Sequence, residues 1–229
     1  MTTVSVVCAV WGENYRQFIP RWWDSVANLQ RQPDQVVVIT DRENFERVHA
    51  NKPMGYNVPT KVHGILHPET FNGYWDMAYR ECDMEWIATC CIDDVFLPEA
   101  LNDIDKADAE GCELIADAVK FTNQSRIWRG YWNPQEMYRN MTMPGAAPMK
   151  KAMYERVGGF PREIYWSDWG FYMLCAKAGV KVYQSDIIRI VFDEGYNHKT
   201  QSGQQLDPDT RAFANQQIGE FAAKVQSDN

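Results

Sequence analysis

The chain opens on a continuous apolar run, "TVSVVCAV" (3–10), and returns to the same kind of run in "QVVVITD" (35–41) and "WIATCCI" (86–92). Short apolar runs without polar alternation make strands covered on both faces, and covering both faces of a sheet calls for helices on each side. The segments between them supply helices. In "NYRQFIPRWWDSVANLQ" (14–30), Phe18, Trp22, Val26 and Leu29 recur at roughly helical spacing. "FNGYWDMAYRECD" (71–83) reads as a helix, and so does "PEALNDIDKADAEG" (98–111), with Pro98 near its start and Gly111 as its stop. "TKVHGIL" (60–66) and "CELIADAVKF" (112–121) add strands. Strands alternating with helices predict an α/β chain with a mostly parallel central sheet flanked by helices. At 229 residues a single domain is expected over 1–229.

The second half is less regular. "NQSRIWRGYWNPQEMYRNMTMPGAAP" (123–148), rich in rings, Arg, Gly and Pro, reads as a long loop or hairpin excursion. "KKAMYERVGGFPRE" reads as a helix stopped at Gly158-Gly159 with Phe160 folded back after the turn. Ser167 and Asp168 are good helix-opening residues for "SDWGFYMLCAKAG" (167–179), and "VKVYQSD" is a late strand. The tail, 201–229, is polar with a helical middle and fraying last residues.

Composition excludes some functions. A formal net charge of −8 argues against strong nonspecific binding to phosphate backbones or anionic membranes. No stretch reaches ~18 apolar residues and Met1 is not followed by a basic, then apolar leader, so a protein without a membrane span, and cytoplasmic, is expected. The six cysteines contain no C-x-x-C pair, which disfavours a structural zinc site and suits reduced core thiols. Nine Trp exceed ordinary core needs, and surplus rings often line ligand grooves.

Two strand runs end in acid, at Asp41 and at Asp93-Asp94. Adjacent carboxylates repel, and removing them from water is costly unless a cation or donor meets them. In parallel sheets the ligand crevice lies beyond the carboxyl ends of the strands, where these acids would stand. A strand end that simply turns into solvent is the plainer alternative.

Four blocks, in order, resemble the GT-A fold glycosyltransferases, and among them the inverting family 2-like enzymes: "VSVVCAVWGEN", "VVVITD", "CCIDDVFLPEAL", and "GAAPMKKAMYERVGGFPRE" followed by "YWSDWGFYMLCAKAG". The resemblance implies one Rossmann-like GT-A domain, with a nucleotide-binding half of about 1–100, an acceptor-side half of about 101–200 and the polar tail 201–229. It implies a nucleotide-diphosphate sugar donor, UDP-linked, and a divalent metal, Mn or Mg. It assigns Ala9, Val10, Trp11, Glu13, Asp41 and Asp93 to the nucleotide, and Asp93, Asp94 and His198 to the metal. Asp168 becomes the base that deprotonates the acceptor hydroxyl, with helix capping as the plainer role. Trp128, Trp132, Trp166 and Trp169 would stack against sugar, and Lys150, Arg126 or Lys199 would pair with anionic oxygens.

The sequence departs from that family in two places. Cys91 stands where the family's first metal-strand Asp is expected, and a thiol is a poor ligand for hard cations. Ser167 stands where a Glu precedes the base. Two other classes stay open: a nucleotidyltransferase, disfavoured because "WGENYRQF" lacks a Gly-rich basic phosphate loop, and a noncatalytic sugar- or nucleotide-binding protein on the same frame. The acceptor, whether glycan, protein side chain or modified nucleobase, is not specified by the sequence.

Overall fold

The computed structural model describes residues 1–65, 71–122, 126–145, 147–192 and 207–227, without the side chains of residues 71 and 72. His198 and Lys199 lie outside the described residues.

The chain runs β1 (Val4–Val10), a 3₁₀ turn (Glu13–Phe18), α1 (Ile19–Ala27), β2 (Gln35–Asp41), α2 (Arg42–Ala50), β3 (Thr60–Ile65), α3 (Phe71–Arg80) and β4 (Trp86–Thr89). It continues through β5 (Val95–Phe96), α4 (Ile104–Ala109), β6 (Leu114–Phe121), β7 (Ile127–Arg129), a second 3₁₀ turn (Glu136–Tyr138), β8 (Met149–Lys150), α5 (Lys151–Val157), α6 (Ser167–Lys177), β9 (Val182–Phe192) and α7 (Pro208–Ser227). All described strands join one sheet in the order β3-β2-β1-β4-β8-β6-β9-β5, with β7 beside β6. The long ladders, β1 with β2 and β4, β2 with β3, and β6 with β9, are parallel. The short β8 runs antiparallel between β4 and β6 and joins the two parallel blocks.

Period-two alternation distributes each central strand between two cores. Val4, Val6, Cys8 and Val10 of β1 pack with Trp22, Trp23 and Val26 of α1 and Leu101 and Ile104 before and in α4. Val7 of β1, Val37 and Ile39 of β2 and Ile87 of β4 face Tyr74 and Tyr79 of α3, Tyr154 of α5 and Phe171 of α6. The expected α/β architecture is therefore present, with helices on both faces of the sheet.

Several boundaries differ from the sequence reading. The fourth strand stops at Thr89, so Cys90 to Asp94 leave the sheet before the acids rather than carrying them on its edge. Pro98 to Asp103 form turns, and the helix starts only at Ile104, because Asp103 is drawn into a buried pair described below. Helix α2 went unread, since Arg42, Glu43, Glu46 and Arg47 mask its short apolar side; Asp41 caps it by accepting from the Asn44 amide at 2.8 Å. The helical middle expected of the tail is present as a 20-residue helix, Pro208–Ser227, whose Ala214, Ile218, Phe221 and Val225 are buried against α6 and its surroundings; residues 201–206, 228 and 229 lie outside the described residues. The six thiols are unbridged, five buried and Cys91 half-buried, as expected of core cysteines.

Beneath the β6/β9 ladder, Arg189 is fully buried between two carboxylates. Its Nε donates to Asp117 at 2.6 Å and an Nη to Asp103 at 3.1 Å. Burial pushes Asp117 up to about 6, with Arg189 opposing that rise. Removing the guanidinium would strand two charges in an apolar layer, and breaking such a pair costs about 3–5 kcal/mol. Arg189→Met is expected to lose stability of that order in urea unfolding near neutral pH. Without Arg189 to oppose burial, Asp117 of the variant is neutralised at still higher pH, so the loss should deepen as pH rises above about 6, where the parent carboxylate is ionised and held by the guanidinium, and be smaller below it.

Candidate functional site

The carboxyl ends of β1, β2 and β4 lie side by side, as their registers require: Val10 opposite Thr40, and Thr89 opposite Val7. Beyond β4 the backbone folds into a tight turn, with the Asp94 amide donating to the Cys91 carbonyl at 3.0 Å. The turn places the Cys91 thiol and the Asp93 and Asp94 carboxylates within 4.8 Å of one another. Both carboxylates are largely out of water, at 8% and 5% exposure. Helix α1 holds this turn from below: Trp22 Nε1 donates to the Cys90 carbonyl at 3.2 Å, and Arg21 donates to the Asp93 carbonyl. The sequence reading assigned neither residue, because their partners are backbone atoms about 70 positions away.

The negative cluster is felt by its neighbours. The Cys91 thiol is pushed well above its ordinary value by burial and then by Asp94 and Asp93, with Asp168 contributing. Tyr15 is pushed up to about 12 by burial and then Asp93. Asp168 and the 91–94 turn thus belong to one electrostatic neighbourhood. A protonated thiol is a poor partner for a hard cation, but two adjacent carboxylates are good ones, so Asp93 and Asp94 fit a divalent metal without help from Cys91.

Asp41 ends β2 and ties the neighbouring loop. Its carboxylate accepts from the Gly12 amide at 2.7 Å and from Asn44 Nδ2 at 2.9 Å, while Asn44 Nδ2 also reaches the Gly12 carbonyl at 3.1 Å. Gly12 can take its φ of +72° because it has no Cβ. The loop so fixed presents Trp11, 39% exposed, edge-on to Tyr74 with ring centroids 3.8 Å apart. The Tyr74 hydroxyl is buried and finds no partner among the described residues. Ala9 and Val10 lie in the β1 strand below this loop, Val10 in the core, while Glu13 projects into solvent beside Arg16.

Asp168 lies in the first turn of α6. Its Oδ1 accepts from the Trp169 amide at 2.8 Å, and burial raises its carboxyl above the ordinary carboxylate range. Its Oδ2 fills the space beside Gly145, where an added Cβ would sit 2.6 Å away. On the far side of the helix, a Cβ on Gly170 would meet Ile164 at 2.3 Å and Pro161 at 2.8 Å. Tyr172 Oη donates to the Pro144 carbonyl at 2.6 Å and so ties α6 to the segment that carries Gly145.

The proposed aromatic group separates. Trp132, Trp166 and Trp169 pack on the α3/α5/α6 face, and Trp169 Nε1 donates to the Met137 carbonyl at 2.7 Å. Trp166 Nε1 is buried and without a partner among the described residues. Trp128 packs on the opposite face of the sheet with the α1 core. Lys150 is not near the acids: it pairs in register with Trp86, at the start of β4, and its Nζ reaches Asp108 at 2.6 Å. Arg126 stacks over Phe121.

No protein-family profile matches the chain, and no curated protein matches it in sequence. Solved structures do match its fold. Residues 1–349 of S. aureus TarS, in complex with UDP-GlcNAc, superpose with a TM-score of 0.72 at 16% identity over 96% of this chain and 66% of that one. The mannosyltransferase PcManGT of Pyrobaculum calidifontis, in complex with GDP-Man and Mn²⁺, superposes with a TM-score of 0.65 at 14% identity over 99% and 74%. The fold is GT-A-like. The chain spans 42% of the longer TarS structure it also matches, at a TM-score of 0.63.

Gly145→Ala is expected to destabilise the fold by about 1–3 kcal/mol, the range for overpacking a filled interior, as read in urea unfolding. Gly111→Ala, at a positive φ (+71°) that Gly145 lacks and with open space around its Cβ, tests backbone strain without steric conflict and should cost less.

Proposed function

We propose that this protein transfers a sugar from a nucleoside-diphosphate sugar, UDP-linked, to an acceptor hydroxyl with inversion at the anomeric carbon. What carries this reading is the Asp93-Asp94 turn at the carboxyl end of a parallel sheet, with Asp168, its own carboxyl raised by burial, close enough to act electrostatically on the Cys91 thiol of that turn. The sheet has the fold of enzymes that hold nucleotide sugars.

In such a transfer the acceptor oxygen bonds to the anomeric carbon as the bond to the diphosphate breaks, and the electron pair leaves with the phosphate. Trp11 and the Asp41–Gly12 loop would seat the nucleoside, with the unpartnered Tyr74 hydroxyl available to one of its oxygens. Asp93 and Asp94 would hold a divalent cation, which supplies charge neutralisation for the leaving diphosphate. His198 is the proposed further ligand. Asp168 would take the acceptor proton; burial makes it a stronger base than an exposed carboxylate. Trp166, with its unsatisfied Nε1, offers an apolar face and one donor to a sugar on that side. The nucleotide side would be built from about residues 1–100 and the acceptor side from about 101–200.

A second reading, noncatalytic nucleotide-sugar binding, draws on Cys91 and Ser167, where the resemblance expects acids. Melting temperature with UDP or GDP, with and without Mn²⁺, followed by turnover of their sugars, separates the two. Stabilisation that needs the metal, together with donor hydrolysis or transfer, supports the enzyme; binding without turnover of any donor supports the second reading.

Asp93→Ala is expected to abolish the metal-linked part of the stabilisation. Asp168→Asn should keep nucleotide binding while transfer falls by 10²-fold or more, the usual range for losing a general base. Since the base must be ionised, kcat/KM should drop as pH falls through the raised Asp168 value, above the ordinary carboxylate range, and that acid limb should vanish in Asp168→Asn.

A further inference from the structure

On the α3/α6/α7 side, away from the acids, lies a cleft of about 460 Å³, within the size range of small-ligand sites. Four cations line it, each from a different part of the chain: Arg80 ends α3, Arg162 lies in the loop between α5 and α6, Lys177 ends α6 and Lys224 sits in the last turns of α7. Two carboxylates, Asp76 and Glu163, oppose them. In a chain of net charge −8 this is a local surplus of positive charge.

The surplus is organised. Asp76, 2% exposed, accepts from Arg80 Nε at 2.9 Å, from an Arg162 Nη, and from Tyr154 Oη at 2.8 Å. One carboxylate therefore braces two guanidinium groups whose side chains remain 59% and 55% exposed. Its carboxyl lies below the ordinary range because of those two arginines and Tyr154, although burial pushes the other way. A guanidinium fixed on one edge keeps its planar fork for a second oxyanion, and a fixed donor loses little entropy on binding. Leu174, Phe221 and Val225 give the cleft an apolar wall.

We infer that this cleft is a second binding site, for a phosphoanion such as a diphosphate group, held by Arg80, Arg162, Lys177 and Lys224. It is separate from the candidate active site. Asp168 and Lys177 stand at opposite ends of α6, nine residues apart, or ~14 Å along the axis. The ligand bridges groups carried by α3, α6 and α7.

The test is calorimetric titration of the whole protein with sodium pyrophosphate at low ionic strength, with EDTA present so that no metal can bridge the anion to Asp93 or Asp94. Expected is saturable one-to-one binding that weakens as salt is raised. It should weaken tenfold or more in Lys177→Ala/Lys224→Ala, weaken further when Lys224→Glu replaces Lys224→Ala, and stay unchanged in Asp93→Ala. Lys177 and Lys224 are not among the donors to Asp76, so these variants leave the bracing of Arg80 and Arg162 in place. No saturable binding, equal affinity in the double lysine variant, or loss of binding in Asp93→Ala would each overturn the assignment.

Discussion

Two adjacent carboxylates held nearly out of water are the constraint on which the candidate site rests. Left alone, Asp93 and Asp94 would repel each other and favour any conformation that returned them to solvent. The turn that carries them is kept in place by donors aimed at its backbone, Arg21 and Trp22 of α1, and α1 is itself anchored by Trp22 and Trp23, both almost wholly buried. The acids are therefore positioned by the α1 core, and the electrostatic cost is met by packing some distance below them. Such local cost offset by the surrounding fold is a feature of sites built to receive a charged ligand.

The parallel ladders supply the rest of the geometry. β1, β2 and β4 run together and end together, so the Asp41–Gly12 tie, the Trp11 loop and the 91–94 turn emerge at one edge. Helix α6 approaches that edge from the other half of the chain and brings Asp168 into the same electrostatic neighbourhood. The antiparallel β8 between the two parallel blocks lets the halves share one continuous sheet.

Much of this was legible in the sequence because it is written locally. The runs at 3–10 and 35–41 have the pattern of strands covered on both faces, and the acids after 35–40 and 86–92 announce the edge where ligands meet such sheets. The end of β4 was misjudged by residue pattern alone, since Cys90, Cys91 and Ile92 are as apolar as a strand but are drawn into a turn by bonds to α1. Helix α2 was hidden by its charged surface. The long-range partners were invisible for a different reason: Arg189 with Asp103 and Asp117, and Asp76 with Arg80, Arg162 and Tyr154, involve ordinary charged residues up to 86 positions apart. Lys150 and Trp128 show the converse, since suitable chemistry at a suitable place in the sequence ended at the far end of β4 and on the opposite face of the sheet.

Helix α6 owes its position as much to absent side chains as to bonds. Gly145 leaves room on one flank for the Asp168 carboxylate, and Gly170 lets the chain at Pro161 and Ile164 press against the backbone on the other. A methyl group gained on either side would press on side-chain ends, the Asp168 carboxylate on one flank and Ile164 and Pro161 on the other, and would shift those groups first. The seat of that carboxylate is thus defined by two gaps in the chain's own volume, and filling the first would reposition the very group that the site presents.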